Sequence, residues 1–312
     1  MLSNNKKLFQ TGLGTLGLTK EFGCSRTSKE VLSIFCEILE KYHNSLAFID
    51  SATVYKTFQN TYIDNIIDCA LKNLKLSKPP KINLKVGTDL TFGNFEVIFK
   101  RLMLTLEKYA KVTDVEIMIH KPTSSNLNLN QRLNNLLTSE GFEISGLSTN
   151  SLKTLEIYYE SFKLRNLQLA LNPIDYIANK SLLSFAIKSQ LKVTARSVLA
   201  SGLLTANKWE IEHPFLDPMR SKFWDTKTSK RILQQRLSAR DRIYLFWLNN
   251  INKVKFEDFI ISAVGNLNEV HYLLVGGSSM QQLNSNLKLE NLTYINNVSR
   301  FWSLKENWQA PY

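Results

Sequence analysis

Short apolar segments alternate with longer stretches of helical period along most of the chain. Residues 28–43 place Val31, Ile34, Phe35, Ile38 and Leu39 on one stripe, as an amphipathic helix does. The segments between such stripes are brief and rich in Leu, Ile and Val, which is how strands buried in a parallel sheet read. Strands are predicted at about 9–18, 46–51, 82–88, 114–120, 142–148, 167–172, 191–197 and 271–276. Helices are predicted over 28–43, 61–76, 93–111, 128–140, 150–166 and 179–190, with further helical stretches between 229 and 269 and a last helix at 280–290. Eight strands, each followed by helix, predict a closed (β/α)8 TIM barrel. Such a chain is a single domain over 1–312, with its active site at the C-terminal ends of the strands.

A doubly wound open sheet is the competing reading. Gly12-Leu13-Gly14-Thr15-Leu16-Gly17 fits the GxGxxG dinucleotide fingerprint, and Asp50 is available as a ribose acid. The context disagrees. In that fingerprint the third glycine already lies in a helix, whereas LTKEFGCSRT intervenes here before any helical period begins. Asp50 also lies beyond the usual spacing of about 20 residues, so the match is read as accidental.

Charge and cysteine content narrow the function classes. Lys and Arg number 39 against 27 Asp and Glu, a net charge of +12, which favours an anionic ligand over a cationic one. The lysines are scattered over helix faces and loops rather than gathered in a stripe with aromatics, so no nucleic-acid partner is expected. Cys24, Cys36 and Cys69 show no CxxC spacing, and neither a metal nor a disulfide is expected. MLSNNKKLFQ lacks the apolar core of a signal peptide, and no apolar run approaches the roughly 18 residues of a membrane span. The expectation is a cytoplasmic protein without a membrane partner, in which the Asn-x-Ser/Thr triplets at Asn179, Asn291 and Asn297 are chance matches.

Four polar residues stand out against the apolar segments. Asp50 ends LAFID, Tyr55 follows it in DSATVY, Lys85 sits in INLKV, and His120 ends VEIMIH. A parallel barrel delivers these strand ends to one rim, where an acid, a phenol, an ammonium and an imidazole together make a proton-transfer site.

These residues and their flanks resemble the aldo-keto reductase family, and the resemblance covers nearly the whole chain. GLGTLGL at 12–18 is similar to the family's first strand. FIDSATVY at 48–55 is similar to its Asp-Thr-Ala-x-x-Tyr signature, with Ser51 in place of Thr. NLKVG at 83–87 carries the lysine and IMIHKP at 117–122 the histidine. GLSTN at 146–150 resembles the Gly-x-Ser-Asn segment, RSVLASGLL at 196–204 the segment over the cofactor pyrophosphate, and LLVGGSSMQQLNSN at 273–286 the closing strand and adenosine-binding turn.

The resemblance implies an NAD(P)H-dependent oxidoreductase that reversibly reduces an aldehyde, ketone or sugar carbonyl. Hydride transfer to a carbonyl creates an alkoxide, so the site must deliver a proton and stabilise negative charge. Tyr55 is the expected proton donor. A free phenol has a pKa of about 10, and Lys85 beside it is expected to lower that value, with Asp50 aiming Lys85. His120 orients the substrate carbonyl or takes part in the proton relay.

The same resemblance implies the cofactor positions. Ser148 and Gln168 match the holders of the nicotinamide carboxamide, and Thr149 stands where many members have Asn. Gly14 and Thr15 lie in the first-strand segment, and Ser197 and Gly202 in the pyrophosphate segment. Gly277, Ser278, Gln282 and Asn286 lie in the adenosine turn. Arg196 occupies the place of a stacking tyrosine, and a guanidinium plane can also stack on the ring. Gly276 and Gln282 replace the basic residues that clamp the 2′-phosphate in many NADPH-preferring members, which leaves NADP or NAD open with a slight lean to NADP.

The small-molecule substrate is expected to be contacted by rim aromatics: Phe22, Phe58, Trp209, Phe215, Phe223, Trp224, Phe301, Trp302 and Trp308. Several of these instead suit sealing the barrel or anchoring the tail. Lys56 and Lys121 favour an anionic or sugar-derived carbonyl. A second reading, from the potassium-channel β subunits of this barrel class, is a dinucleotide-binding redox-sensing regulatory subunit without significant turnover.

Overall fold

The computed structural model describes residues 9–22, 24–91, 93–205, 227–251, 253–288 and 298–308. Its centre is a closed barrel of eight strands in sequential order. They are β1 (Gln10–Gly14), β2 (Leu46–Ala52), β3 (Lys81–Val86), β4 (Val115–His120), β5 (Ile144–Ser148), β6 (Asn166–Ala170), β7 (Lys192–Arg196) and β8 (Val270–Gly276). Every neighbouring pair is parallel, and β8 closes on β1 in unbroken register from Gln10 opposite Tyr272 to Gly14 opposite Gly276.

The helices form the outer layer: α1 (Ser28–Tyr42), α2 (Ile63–Leu74), α3 (Phe95–Ala110), α4 (Leu127–Ser139), α5 (Leu152–Ser161), α6 (Lys180–Lys188), α7 (Lys227–Asn250), α8 (Phe256–Gly265), α9 (Met280–Leu287) and α10 (Val298–Ser303). Four of their starts are set by side chains. Thr27 and Glu30 form a reciprocal capping box on α1, and Asn94, Ser151 and Ser279 cap α3, α5 and α9 by accepting from backbone N–H groups. None of the described helices is long and apolar enough to cross a membrane.

The glycine-rich start of the chain is explained by packing. β1 ends at Gly14 and runs into two short 3-10 turns, with α1 beginning only at Ser28, so no helix stands on the third glycine. A β-carbon at Gly12 would run into the Phe48 ring, and one at Gly17 would strike the Gly277 carbonyl. These are close approaches between β1, β2 and the end of β8.

Two predicted boundaries move. The helix expected over 150–166 ends at Ser161, and Phe162 is already extended as the chain turns into β6. The opening strand is five residues long rather than ten.

The largest departure concerns the barrel interior. Parallel strands covered on both sides are usually apolar on both faces, and here the outer face is, while the inner face mixes Phe48, Met118 and Tyr272 with polar groups. Ile82, Leu84 and Val86 of β3 and Leu167 and Leu169 of β6 are buried under helices. The alternate positions Asn83, Lys85, Asn166 and Gln168 point the other way. Gln168 on β6 donates directly to Asp50 on β2, four strands away around the barrel, which places both side chains inside it. The interior therefore carries polar groups in place of the bulky branched residues that normally fill such barrels.

Candidate active site

The strand ends bring Asp50, Tyr55, Lys85 and His120 together. Lys85 Nζ is bonded to Asp50 Oδ1, and both side chains are at least 96% buried. The second carboxylate oxygen, Oδ2, accepts from Gln168 Nε2 at 2.7 Å, and Gln168 Oε1 accepts from Ser148 Oγ at 3.1 Å. A hydrogen-bonded chain thus crosses the barrel from Lys85 through Asp50 and Gln168 to Ser148. A buried ion pair is expensive to desolvate and seldom a net source of stability, so its place at the rim argues for a chemical role.

Tyr55 is positioned by the loop after β2. Its N–H donates to Ala52 O, and its own carbonyl accepts from Ile63, the first residue of α2. Arg101 holds the loop from outside, donating to Thr53 O at 2.8 Å and pairing with Asp89 at 2.6 Å. The Tyr55 ring lies edge-on to His120, with centroids 6.0 Å apart, and Lys85 Nζ is 5.5 Å from the Tyr55 centroid.

Burial pushes the Tyr55 phenol above its ordinary pKa. Lys85 and Arg196 pull downward, but Asp50 adds to the rise, and burial outweighs the cations. The expectation of a lowered phenol pKa is therefore reversed in direction, because the ammonium that should lower it is shared with a carboxylate in a dry site. Tyr55 is fully protonated at neutral pH. His120 is pushed down to about 2, first by burial and then by Lys85, Lys121 and Arg196, so its imidazole is neutral. Its Nδ1 is buried without a partner among the described residues.

Of the cofactor positions taken from sequence, Ser148 and Gln168 form the hydroxyl–amide pair already described, with Gln168 fully buried and both ends of its amide engaged by Ser148 and Asp50. Arg196 ends β7, and its guanidinium donates to Asn150 Oδ1 at 2.8 Å. The Thr149 hydroxyl faces its own loop, accepting from Ser151 N at 3.1 Å. The Thr15 hydroxyl bonds the Asp50 carbonyl at 3.0 Å and ties β1 to β2, and Gly14 lies against Leu274. Ser197 and Gly202 both have positive φ, at 52° and 96°, in a tight turn after β7. In the turn after β8, Gln282 Oε1 accepts from Ser278 N and Oγ, and Asn286 reaches back to Gly276 O at 2.7 Å beside Gly277.

No protein-family model matches the chain, and no curated protein matches it by sequence. Solved structures do match over nearly its full length. It is similar to a glycerol dehydrogenase from Gluconobacter oxydans, with 18% identity and a TM-score of 0.68 over 97% of this chain and 93% of that one. It is equally similar to the holo form of an aldo-keto reductase from Bacillus halodurans, with 15% identity and a TM-score of 0.68 over the same shares. The fold is that of the aldo-keto reductases. A structure described as 2,5-diketo-D-gluconic acid reductase B, at 15% identity and a TM-score of 0.62 over 99% of this chain and 90% of that one, has it too.

Within the aldo-keto reductase fold, three residues have positions that the sequence did not suggest. Asn150 bonds both the N–H and the carbonyl of Ala170, at 3.1 and 3.2 Å, and so aims Arg196. Arg101 braces the Tyr55 loop. Arg26 donates to the Ser278 carbonyl and brings a cation to the turn after β8.

The rim aromatics divide. Phe301 and Trp308 are buried, stack at 5.1 Å and pack on Phe246, and Trp302 lies on Tyr176, so these anchor the tail. Phe58 is exposed. Trp209, Phe215, Phe223 and Trp224 lie outside the described residues, as do Asn291 and Asn297. Asn179 is buried and bonded to Asn150, which suits packing rather than glycosylation.

Proposed function

We propose that this protein is an NAD(P)H-dependent oxidoreductase that interconverts a carbonyl and an alcohol, with Tyr55 as proton donor. The observation that carries the reading is the dry Asp50–Lys85 pair set beside a fully protonated Tyr55 and a neutral His120. When bound, the nicotinamide supplies the hydride. The chain's residues hold and protonate. Ser148 and Gln168 would hold the carboxamide, Arg196 would stand at the nicotinamide, and the turns at Ser197–Gly202 and Gly277–Asn286 would hold the phosphates and adenosine. Arg26 beside Ser278 supports a 2′-phosphate and hence NADP over NAD.

In the reductive direction, negative charge develops on the substrate oxygen. The Tyr55 hydroxyl donates its proton there, and the Lys85 ammonium, aimed by Asp50, steadies the phenolate that remains. Neutral His120 can donate one hydrogen bond to the same oxygen. Two structural neighbours, the glycerol dehydrogenase and the 2,5-diketo-D-gluconic acid reductase, are named for polyhydroxylated substrates, and we carry that class to this chain. Lys56, Lys121 and Arg196 near the rim add a preference for anionic members of that class.

The test is turnover of Tyr55→Phe on a panel of hydroxylated aldehydes, ketones and keto acids. Activity should fall by about 10²- to 10⁴-fold, the range of general acid catalysis, while NADPH still quenches the fluorescence of the five tryptophans. Undiminished turnover would reject Tyr55 as the proton donor. No quenching by either NADPH or NADH in the parent protein would reject the reductase reading.

A further inference from the structure

The opposite end of the barrel holds a cavity of about 670 Å³, within the usual range for small-molecule sites. Phe48, Met118 and Tyr272 are among its lining residues, and Phe48 and Met118 stand two residues before Asp50 and His120 on the inward faces of β2 and β4. Phe48 and Tyr272 cross edge to face at 5.5 Å, presenting ring carbon to the space. Asn83 and Thr194 stand in the walls. They are only 5% and 3% exposed, yet neither the Asn83 amide nor the Thr194 hydroxyl has a hydrogen-bond partner among the described residues. Beside them Asn166 donates to Glu116, whose carboxyl is raised by burial against the pull of Arg165, Lys81 and Lys192. Lys78, Lys81 and Lys192 line the opening with His43. Of the two acids facing it, Asp114 is paired with Lys81 at 3.6 Å and Glu116 is held by Asn166.

The Asn83 amide and the Thr194 hydroxyl keep contact with the cavity space, and groups so placed are satisfied by what occupies it, water or a guest. The depth offers groups that both donate and accept, beside two ring faces. The mouth offers cations. We propose that the N-terminal mouth of the barrel is a second, non-catalytic binding site for a small polyhydroxylated anion, a sugar acid or sugar phosphate. Its hydroxyls meet Asn83, Thr194 and Glu116, its C–H face rests on Phe48 and Tyr272, and its charge lies between Lys78 and Lys192.

Met118 gives a reporter in the cavity lining. In full-length protein labelled with ¹³C-methyl methionine, the Met118 resonance, assigned with Met118→Leu, is followed during titration with gluconate and separately with glucose 6-phosphate. A saturable shift with either supports the site and names the anion as carboxylate or phosphate. Lys192→Gln and Thr194→Val should each weaken it by about tenfold, the worth of one hydrogen bond or charge contact. Tyr55→Phe, at the other end, should leave it unchanged. Glucose as tight a ligand as gluconate would overturn the anionic assignment. No Met118 shift with either anion, or a shift indifferent to both mouth variants, would overturn the site. A shift seen only after deletion of residues 1–8 would assign the cavity to the chain's own N-terminus and likewise overturn the proposal.

Discussion

The two ends of the barrel use the same strands in opposite ways. Asp50 and Asn83 are register partners on β2 and β3, and Gln168 and Thr194 are register partners on β6 and β7. At the upper end both carboxylate oxygens of Asp50 and both ends of the Gln168 amide are bonded. At the lower end Asn83 and Thr194 face a cavity with no protein partner among the described residues. A satisfied network in a dry site is rigid and keeps its charges aimed, which suits a reaction. An open set of polar groups suits an exchangeable guest. His120 Nδ1 is one exception at the rim, a buried nitrogen without a partner among the described residues, and Thr53 Oγ1 in the loop after β2 is another.

The sharpest way to break this contrast is to remove Lys85. Lys85→Met leaves the Asp50 charge buried and half-compensated, which should destabilise the fold by about 3–5 kcal/mol. Urea unfolding monitored by circular dichroism measures it, and adding Asp50→Asn to the same chain should recover most of the loss. A single variant as stable as the parent would mean that the rim network does not hold its charges in place.

Asp64 tests whether an open partner matters because it is unpaired or because it is sealed. It is fully buried behind β2, where Ser51 Oγ donates to Oδ1 at 2.7 Å, while Oδ2 has no partner among the described residues. Burial raises its pKa to about 6, against about 3.9 for a free aspartate. A carboxyl with a raised folded pKa contributes stability that is fully present below about pH 4 and lost as pH rises through 6. The loss should reach roughly 2–3 kcal/mol by pH 7. His120 has the opposite sign, since a buried neutral imidazole costs stability as pH falls below about 6.5. Asp64→Asn should flatten the decline between pH 4 and 7 and leave the His120 loss on acidification. An unchanged profile would show that Asp64 is hydrated rather than sealed.

Matched substitutions at the two ends should then differ in size. Gln168→Leu strands Asp50 Oδ2 and Ser148 and should cost about 1–3 kcal/mol. Asn83→Leu removes an amide that no protein group satisfies and should change stability by less than about 1 kcal/mol in either direction. Equal losses would erase the distinction between a bonded rim and an open mouth.

These differences explain what was legible in the sequence. The barrel was legible because helical stripes and short apolar segments alternate, and Asp50, Lys85 and His120 because each interrupts an apolar strand near its end. The polar interior was written in the alternation of INLKV and NLQLA. It was not legible because both segments are dominated by aliphatic residues, and an amide inside a barrel has no local signal that separates it from one facing solvent. Asn150 was hidden by Thr149, which occupies the family's position although its hydroxyl turns back to its own loop. The sign of the Tyr55 shift depends on burial, which only the folded chain supplies.

Arg26 was invisible for a different reason, and it carries the smallest expected effect. It precedes α1 and meets Ser278 only because β8 closes on β1, bringing together residues 252 positions apart. The turn it reaches has neutral side chains at Gln282 and Asn286, which alone give no reason to prefer a 2′-phosphate. Arg26 puts a guanidinium at that turn, at the upper end of the barrel, where the proposed dinucleotide site would gain the charge its neutral side chains lack. Arg26→Ala should therefore weaken NADPH binding by about 1 kcal/mol, roughly fivefold, with NADH affinity unchanged, as read from tryptophan quenching. Equal weakening of both would make Arg26 a brace for the turn, and no change in either would leave the choice of dinucleotide to the neutral groups alone.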